Sequence, residues 1–593
     1  MDDKSKNQPT PSDDIVVDKP KSSWSDLWKF EDYWAIWLGV LLLVAGMFIF
    51  FNNPPAEMNE KIAKANATMQ AEAEKAPFET IAWVEANDAK GKLKASDGDL
   101  AKTLNTYLTR PHGWDSNPIP SFYLSEEDAA AKSAAAAGKY EAAKEKTAEA
   151  RAAAEEAEAA AAAAGFKDPT LNKQADEAID VWVAAKASES KAKKSAETKP
   201  YNLIPILIVL CVAFALFFAI GTAFMGRKVG GFLLGFPFVF LVATLAYMLS
   251  NQATMKAYGI EYVIWAIGLG LLISNTIGTP KWVMPAVQTE YYIKTGLVLL
   301  GASILFSKIL LIGQAGIFVT WVVTPIVLIF TFWFGQRVLK MESKTLNITV
   351  SADMSVSGVS AAIATAAACR AKKEELTLAV GMSVAFTAVM MIAMPAFIKA
   401  VGMHHVLGGA WMGGTIDSTG AVVAAGAILS DTAMYVAATI KMIQNVMIGV
   451  IAFGVAAYWC TKVECTPGVK LGFKDAIYEI WVRFPKFVLG FIGASIVFSI
   501  IYSSMGPDVG KVLIDEGVIK GWTSSLQGWF FALAFASIGL ATNFRELAKY
   551  FKGGKVVILY VCGQSFNIIL TLLMAYLMFF VVFPGVTEKL MGG

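Results

Sequence analysis

The sequence predicts an all-α membrane protein: an inverted-repeat transporter core of five plus five spans with two discontinuous crossing helices, preceded by additional N-terminal transmembrane helices and a helical extra-membranous domain. Three observations predict it. Hydrophobic residues fill 55% of the 593 positions and the mean hydropathy is +0.50, which a water-soluble domain of this size could sustain only by exposing apolar surface. The apolar residues gather into runs long enough to span a bilayer. Between the first and second of these runs lies a block rich in Ala, Glu and Lys that could not enter one.

Residues 1–33 are polar and rich in Pro, Asp and Lys, too poor in apolar side chains to build a core, and read as a disordered cytoplasmic tail. Residues 34–51 form the first apolar run. No small-residue cleavage site follows it, and the chain passes directly into Asn52, Asn53, Pro54 and Pro55, so a retained signal-anchor helix is expected. Trp24, Trp28, Tyr33 and Trp34 suit an interfacial aromatic belt. Residues 52–200 are the extracytoplasmic helical domain. Ser125 ahead of Glu126, Glu127 and Asp128 starts a helix there, which the Ala/Glu/Lys run carries to Ala164 before Gly165 and Asp168-Pro169 end it. A second helix to about Lys194 folds back, and the resulting hairpin either packs on the more aromatic stretch Phe78 to Tyr123 or stands free as an interaction stalk.

Apolar runs recur from Tyr201: two accessory spans within 201–250, five within 260–400 as the first repeat, and five within 407–584 as the second. An amino terminus in the cytoplasm places Arg227, Lys228, Arg337, Lys340, Lys344, the 462–486 loop, Arg545, Lys549, Lys552 and Lys555 inside, as the positive-inside rule asks. The loop with Arg370, Lys372 and Lys373 dissents and falls outside, accompanied by Glu374 and Glu375. The 51 basic and 49 acidic residues leave a net charge of +2, which gives no case for nucleic acid as a partner. Cys211, Cys369, Cys460, Cys465 and Cys562 match no metal-ligand spacing, and His404-His405 reads as a solvated loop pair, so no metal and no other cofactor is expected.

An odd number of spans per half forces the two halves into opposite orientations. The fourth span of each half is unusual. Ser351, Ser355, Ser357, Gly358 and Ser360 crowd one, while Ser537, Gly539, Thr542 and Asn543 crowd the other. Small hydroxyl residues with glycine let a helix unwind, and the freed backbone groups survive at membrane depth only where they line a cavity or bind a ligand. Opposed half-helix amino termini favour an anion, with Ser355, Ser357, Gly358, Ser360, Thr542 and Asn543 as its candidate binding residues. Close Ser/Gly/Ala helix packing without a ligand is the alternative reading of the same residues.

Several stretches resemble, in order, the YeiH family of bacterial membrane proteins, also called UPF0324 or sulfate exporters. They include Ile273-Ser274-Asn275-Thr276, Thr295 to Gly301, Ser355 to Ala362, Gly413-Gly414-Thr415-Ile416, Val422 to Gly426, and Ile538 to Asn543. The resemblance covers about Ile260 to Pro584, and residues 34–201 look like the extension of a longer subgroup. It implies a bacterial inner-membrane protein with the fold of cation/proton antiporters and bile-acid sodium symporters, and export of sulfate or an organosulfonate. Short members carry a His-Glu pair where this chain has Asp417-Ser418, an Arg where it has Gln444, and a Cys where it has Ser357.

Asp353, Asp417 and Lys441 fall within apolar runs, where a charge costs at least ~2.5 kcal/mol and faces a partner or a water-filled cavity. Counted from their span ends, Asp417 and Lys441 differ in depth by about 6 Å at 1.5 Å rise, within reach of a lysine stem, so they are expected to pair or to serve ion coupling with Asp353. The functions in contention are a secondary transporter of a small anion, a cation/proton antiporter of the same fold, and a non-transporting sensor or scaffold. None is an enzyme, and no Walker A motif supports ATP-driven pumping. The expected partners are the lipid bilayer, a small anion, a coupling ion (H+ or Na+) and a second copy of the chain in a homo-oligomer.

Overall fold

A computed structural model of the chain describes residue 16 and residues 23–258, 260–304, 306–463, 477–478, 481–482, 484–548 and 554–591. Most of the expected tail, together with Cys465, Lys549 and Lys552, lies outside the described residues. The chain is an all-α membrane protein. The strands among the described residues are a two-residue antiparallel pair, Tyr123–Leu124 with Tyr201–Asn202, which closes the insertion at its base.

Helix α1 (Glu31–Asn52) shows the logic of the bundle. Leu38, Leu43 and Phe50 face neighbouring helices, while Leu41, Val44 and Phe48 point outward as a lipid-facing stripe. Glu31 and Asp32 sit in its first turn, where the helix dipole favours them, and both pair with Lys294 at 3.1 and 2.9 Å. Trp28 stacks on Trp37 with ring centroids 5.8 Å apart, giving the aromatic belt expected at this end.

The insertion comprises α2 (Met58–Lys75), α3 (Ile81–Gly91), α4 (Asp99–Tyr107) and a long hairpin of α5 (Glu126–Ala163) and α6 (Pro169–Ala196). The Ser125 hydroxyl accepts the amide of Asp128 at 3.0 Å, Asp168 caps α6 with Pro169 at its first position, and Gly165 at φ +62° makes the turn. At 1.5 Å per residue, α5 is roughly 57 Å long. The hairpin packs rather than standing free. Ala154, Ile179 and Trp182 bury against Ile81 and Val84, and the Arg151 and Lys186 cations lie 5.6 and 4.9 Å from the Trp182 ring. His112, edge-on to Tyr201 at 4.2 Å in the same region, is held below the usual imidazole pKa by burial.

The membrane bundle follows: α7 (Ile204–Phe224), α8 (Val229–Ser250), α9 (Tyr262–Thr276), α10 (Thr289–Ser303) and α11 (Ser307–Arg337), then α12 (Lys344–Ala352), α13 (Val359–Ala368), α14 (Lys373–Ala400), α15 (His405–Thr415) and α16 (Thr419–Leu429). The last four are α17 (Asp431–Tyr458), α18 (Phe487–Met505), α19 (Pro507–Ala541) and α20 (Lys555–Val582).

Two of the thirteen expected spans do not cross. A continuous helix over 344–368 would separate its ends by roughly 36 Å. Instead Cys369 lies against Thr349 at 3.8 Å, and Glu375 accepts the Thr345 hydroxyl at 2.8 Å, so α12 and α13 form a hairpin that returns to the face it left. A short π-turn at Asp353–Ser357 and Gly358 at φ +59° make its tip. The second hairpin is α15 and α16, with Gly408 at the start packed so closely on Leu429 at the end that a methyl on it would lie 2.9 Å from that side chain. Its tip is the non-helical stretch Ile416–Ser418, extended at Ile416 and Ser418 and bent at Asp417. The second interruption therefore stands at Ile416–Ser418 rather than at Ser537–Asn543, because α19 continues unbroken through Ser537 and Gly539 to Ala541. The oppositely directed elements are two hairpin-plus-span units, 344–400 and 405–458, which enter from opposite faces and meet tip to tip.

Turning back at Gly358 also moves the dissenting charges. Arg370, Lys372 and Lys373 now share a face with Lys344 at the base of the first hairpin, and the Val16 amide donates to the Ala371 carbonyl there at 2.9 Å. This near face, where α1 begins, also carries Arg227 and Arg337. The insertion and His404, which caps α15 by accepting the Val406 amide at 3.2 Å, lie toward the far face.

Candidate functional site at the hairpin tips

The two tips close a cavity of ≈ 410 Å³ lined by Ser357, Gly358 and Ser360 from the first hairpin, Asp417, Ser418 and Thr419 from the second, and Ser383 and Thr387 from α14. Its near-face rim is made by Thr289, Glu290 and Lys294 of α10 and by Ile538, Ala541 and Thr542 of α19. Gly358 is required here by conformation and by space: a Cβ would meet the Asp417 carbonyl and the Ser383 hydroxyl at 2.9 Å.

The half-helix ends around this cavity are finished asymmetrically. At the carboxyl ends, carbonyls that interruption leaves free are taken by resident side chains. Gln444 donates to Ser355 O at 3.3 Å and Gly414 O at 3.1 Å, Lys441 to Val356 O at 3.0 Å, Gln564 to Thr415 O at 3.1 Å and Asn567 to Met354 O at 3.4 Å. At the amino ends no side chain among the described residues caps α13 or α16, although the first amides of any helix lack intrahelical partners. Both uncapped amino termini open on the cavity. Asn445 then staples the tips, accepting the Ser357 hydroxyl at 2.7 Å and donating to the Thr419 hydroxyl at 3.1 Å.

The sequence-predicted residues divide accordingly. Ser357, Gly358, Ser360, Asp417 and Thr542 come together on the cavity, with the Thr542 hydroxyl committed to Ile538 O at 2.8 Å. Ser355 faces away and donates to Ser351 O at 2.7 Å, while Asn543 caps the short helix Phe544–Leu547 by accepting the Arg545 amide at 3.0 Å. Asp417 and Lys441 are not hydrogen-bonded to each other. The Asp417 carboxylate accepts the Tyr560 hydroxyl at 2.6 Å, and the Lys441 ammonium is held by Val356 O and by the Gln444 side-chain oxygen at 2.7 Å. The lysine stem therefore ends at the first hairpin's carbonyls, which compete for it at hydrogen-bond distance. Asp353 is fully buried behind the cavity wall within electrostatic reach of Asp417, the Ser383 hydroxyl faces it as a weak donor, and among the described residues neither of its carboxyl oxygens has a hydrogen bond of ordinary geometry.

Sequence reasoning missed Ser383, Tyr560, Asn445 and Gln564. Each lies within an apolar run, Asn445 beside Gln444 and Gln564 beside Ser565 and Asn567, and amides grouped in such a run are the signal that could have found those two. A larger cavity of ≈ 990 Å³ opens at the far face beneath the insertion. Its lining balances Arg110, Lys399, Lys511 and Lys520 against Glu261, Asp431, Asp515 and Glu516, and the helix amino terminus there is already capped by Ser430, so the tip cavity is the better-built ligand site.

A family model described as "Conserved hypothetical protein 698" matches residues 234–560. A UPF0324 membrane protein of Nitratidesulfovibrio vulgaris is 62% identical over 97% of this chain and 99% of its own length. UPF0324 membrane protein RB9488 of Rhodopirellula baltica is 47% identical over 96% of this chain and 93% of its own. A shorter match, UPF0324 membrane protein NE0724 of Nitrosomonas europaea, is 29% identical over 64% of this chain and 85% of its own. No solved structure matches.

Proposed function

The chain belongs to the UPF0324 family of membrane proteins, and we propose that it works as a secondary transporter of a small anion bound between the hairpin tips. One observation carries this reading: two uncapped helix amino termini face one cavity, while carbonyls at the opposite half-helix ends already have donors of their own. Amide donors and positive dipole ends to which no side chain is hydrogen-bonded are what an oxyanion needs, and the Asp417 and Glu290 carboxylates in the same lining are the charges it has to accommodate. Hairpin tips that meet from opposite faces also suit alternating access to one site, in which either hairpin could yield in turn. Sulfate or an organosulfonate is the first substrate to test, on the family resemblance. The proposed setting is a bacterial inner membrane with the near face cytoplasmic, because the Arg370–Lys373 turn now joins the basic loops on that face.

In proteoliposomes, counterflow of radiolabelled sulfate or of an organosulfonate should be seen and should be abolished by Ser360→Leu, which fills the cavity from an exposed position. A cysteine at Ser133 should be labelled in intact spheroplasts and one at Arg370 only after permeabilisation; the reverse pattern would invert the topology. The meeting of Asp353 and Asp417 is the observation that favours a cation/proton antiporter instead. Thermal stabilisation by sodium or pH alone, with no response to any anion, would select that reading.

A further inference from the structure

An anion between the tips meets an electrostatic obstacle. The Asp417 carboxylate lines the cavity, Glu290 lines its rim paired with Lys294 at 3.7 Å, and Asp353 lies behind Asp417 within reach of the same space. The two aspartates are furnished differently. Asp417 has what an ionised group requires: the Tyr560 hydroxyl at 2.6 Å and the Lys441 cation at longer range. Among the described residues, Asp353 has no cation and no hydrogen bond of ordinary geometry. It is fully buried on the π-turn of the first hairpin, the Ser383 hydroxyl of α14 faces it as a weak donor, and Asp417 of the second hairpin and Tyr560 of α20 complete its surroundings. An ionised carboxylate so placed would be desolvated, unpaired and next to a like charge, whereas a protonated one is neutral and can donate.

Resting on the anion reading above, we propose that Asp353 is the coupling-ion site, that the ion is a proton, and that proton and anion bind with positive linkage. The sign follows from charge. With Asp353 neutral, one negative charge beside the cavity is removed and the anion binds more tightly; by reciprocity the bound anion raises Asp353's proton affinity. The remaining negative charge on Asp417 stays balanced by Lys441, whose ammonium also holds the first hairpin's Val356 carbonyl. Proton, anion and hairpin tip are thereby joined through contiguous groups, and a loaded tip differs from an empty one in charge as well as in occupancy.

The test uses the full-length purified protein and three probes: sulfate, methanesulfonate and phosphate. Thermal stabilisation at each pH reports anion binding, and a pH indicator in weak buffer reports proton uptake on mixing. The expected result is uptake of up to one proton per chain, and an apparent Kd that rises by as much as about tenfold per pH unit on the alkaline side, the limit for a single linked proton. In Asp353→Asn both the uptake and the slope should vanish while the low-pH affinity is kept, and Asp353→Glu should restore a slope. Stabilisation without proton uptake by the wild type, or with an unchanged slope in Asp353→Asn, overturns the proton site and leaves the anion reading standing. Stabilisation that requires sodium and moves no proton overturns it in favour of sodium. No stabilisation by any of the three probes at any pH overturns the anion reading and the linkage with it.

Discussion

The chain builds helical hairpins in two solvents and completes them differently. In the α5–α6 hairpin of the insertion, the limbs run 38 and 28 residues, their amino ends are capped by Ser125 and Asp168, and exposed pairs such as Lys173 with Glu177 decorate the surface. In the two membrane hairpins the limbs run 9 and 10, then 11 and 11 residues, and no local side chain caps either tip amino terminus. Water finishes the first kind, so local chemistry suffices. The bilayer finishes nothing, so the second kind depends on donors from distant helices, and whatever those donors leave open is available to a ligand.

The largest effect should come from Gln444→Leu, which strips donors from Ser355 O and Gly414 O and removes an acceptor from Lys441 in one step. A loss of about 3–5 kcal/mol is expected, read as a lowered unfolding midpoint in detergent. A midpoint no lower than that of surface variants in α5–α6 would break the contrast. Next, Gly358→Ala should cost about 2 kcal/mol through its positive φ and crowding on Asp417, and should also abolish anion-dependent stabilisation; retention of that stabilisation would take the tip out of the site.

Double-mutant cycles sharpen the account of the charges. Asp417→Asn with Tyr560→Phe should show coupling of about 1–2 kcal/mol, larger than Asp417→Asn with Lys441→Met, because only the first pair is hydrogen-bonded. The reverse order would make the Lys441 cation, and not the Tyr560 hydroxyl, the stronger hold on Asp417. Smallest of all, Asp168→Ala should cost about 1 kcal/mol and act on the insertion alone, measurable by limited proteolysis there with anion binding unchanged.

The same contrast explains what was legible in the sequence. Ser125 and Asp168-Pro169 announce their helix ends because a cap acts within a few residues. The Ser355–Ser360 break was legible for a similar reason, small hydroxyls and glycine being a local signal. The Ile416–Ser418 tip was not. An apolar run of twenty-odd residues has the right length either to cross or to enter and return, and hydropathy cannot distinguish the two. The one clue was electrical: Arg370, Lys372 and Lys373 on the wrong side of an otherwise consistent topology. Depth counting brought Asp417 and Lys441 within electrostatic reach of each other but could not foresee where the ammonium's hydrogen bonds go, because it measures height along the membrane and is blind to carbonyls unmasked by a turn.

On the opposite side of the cavity, α9 and α19 touch backbone to backbone. A methyl on Gly270 would sit 2.7 Å from the Cα of Gly539, and the Ser274 hydroxyl ties the end of α19 by donating to Thr542 O at 2.7 Å. That wall cannot close further, since the two backbones are already in contact, and the Ser274 hydrogen bond opposes their separation. The facing wall is jointed at Gly358 and at Ile416–Ser418. The cavity thus resembles a vice with one fixed jaw, and the expected consequence is that ligands of different radius displace the hairpins alone. Spin labels across α9 and α19 should keep one separation with sulfate or a bulkier sulfonate bound, while labels on the two tips should move apart with ligand size.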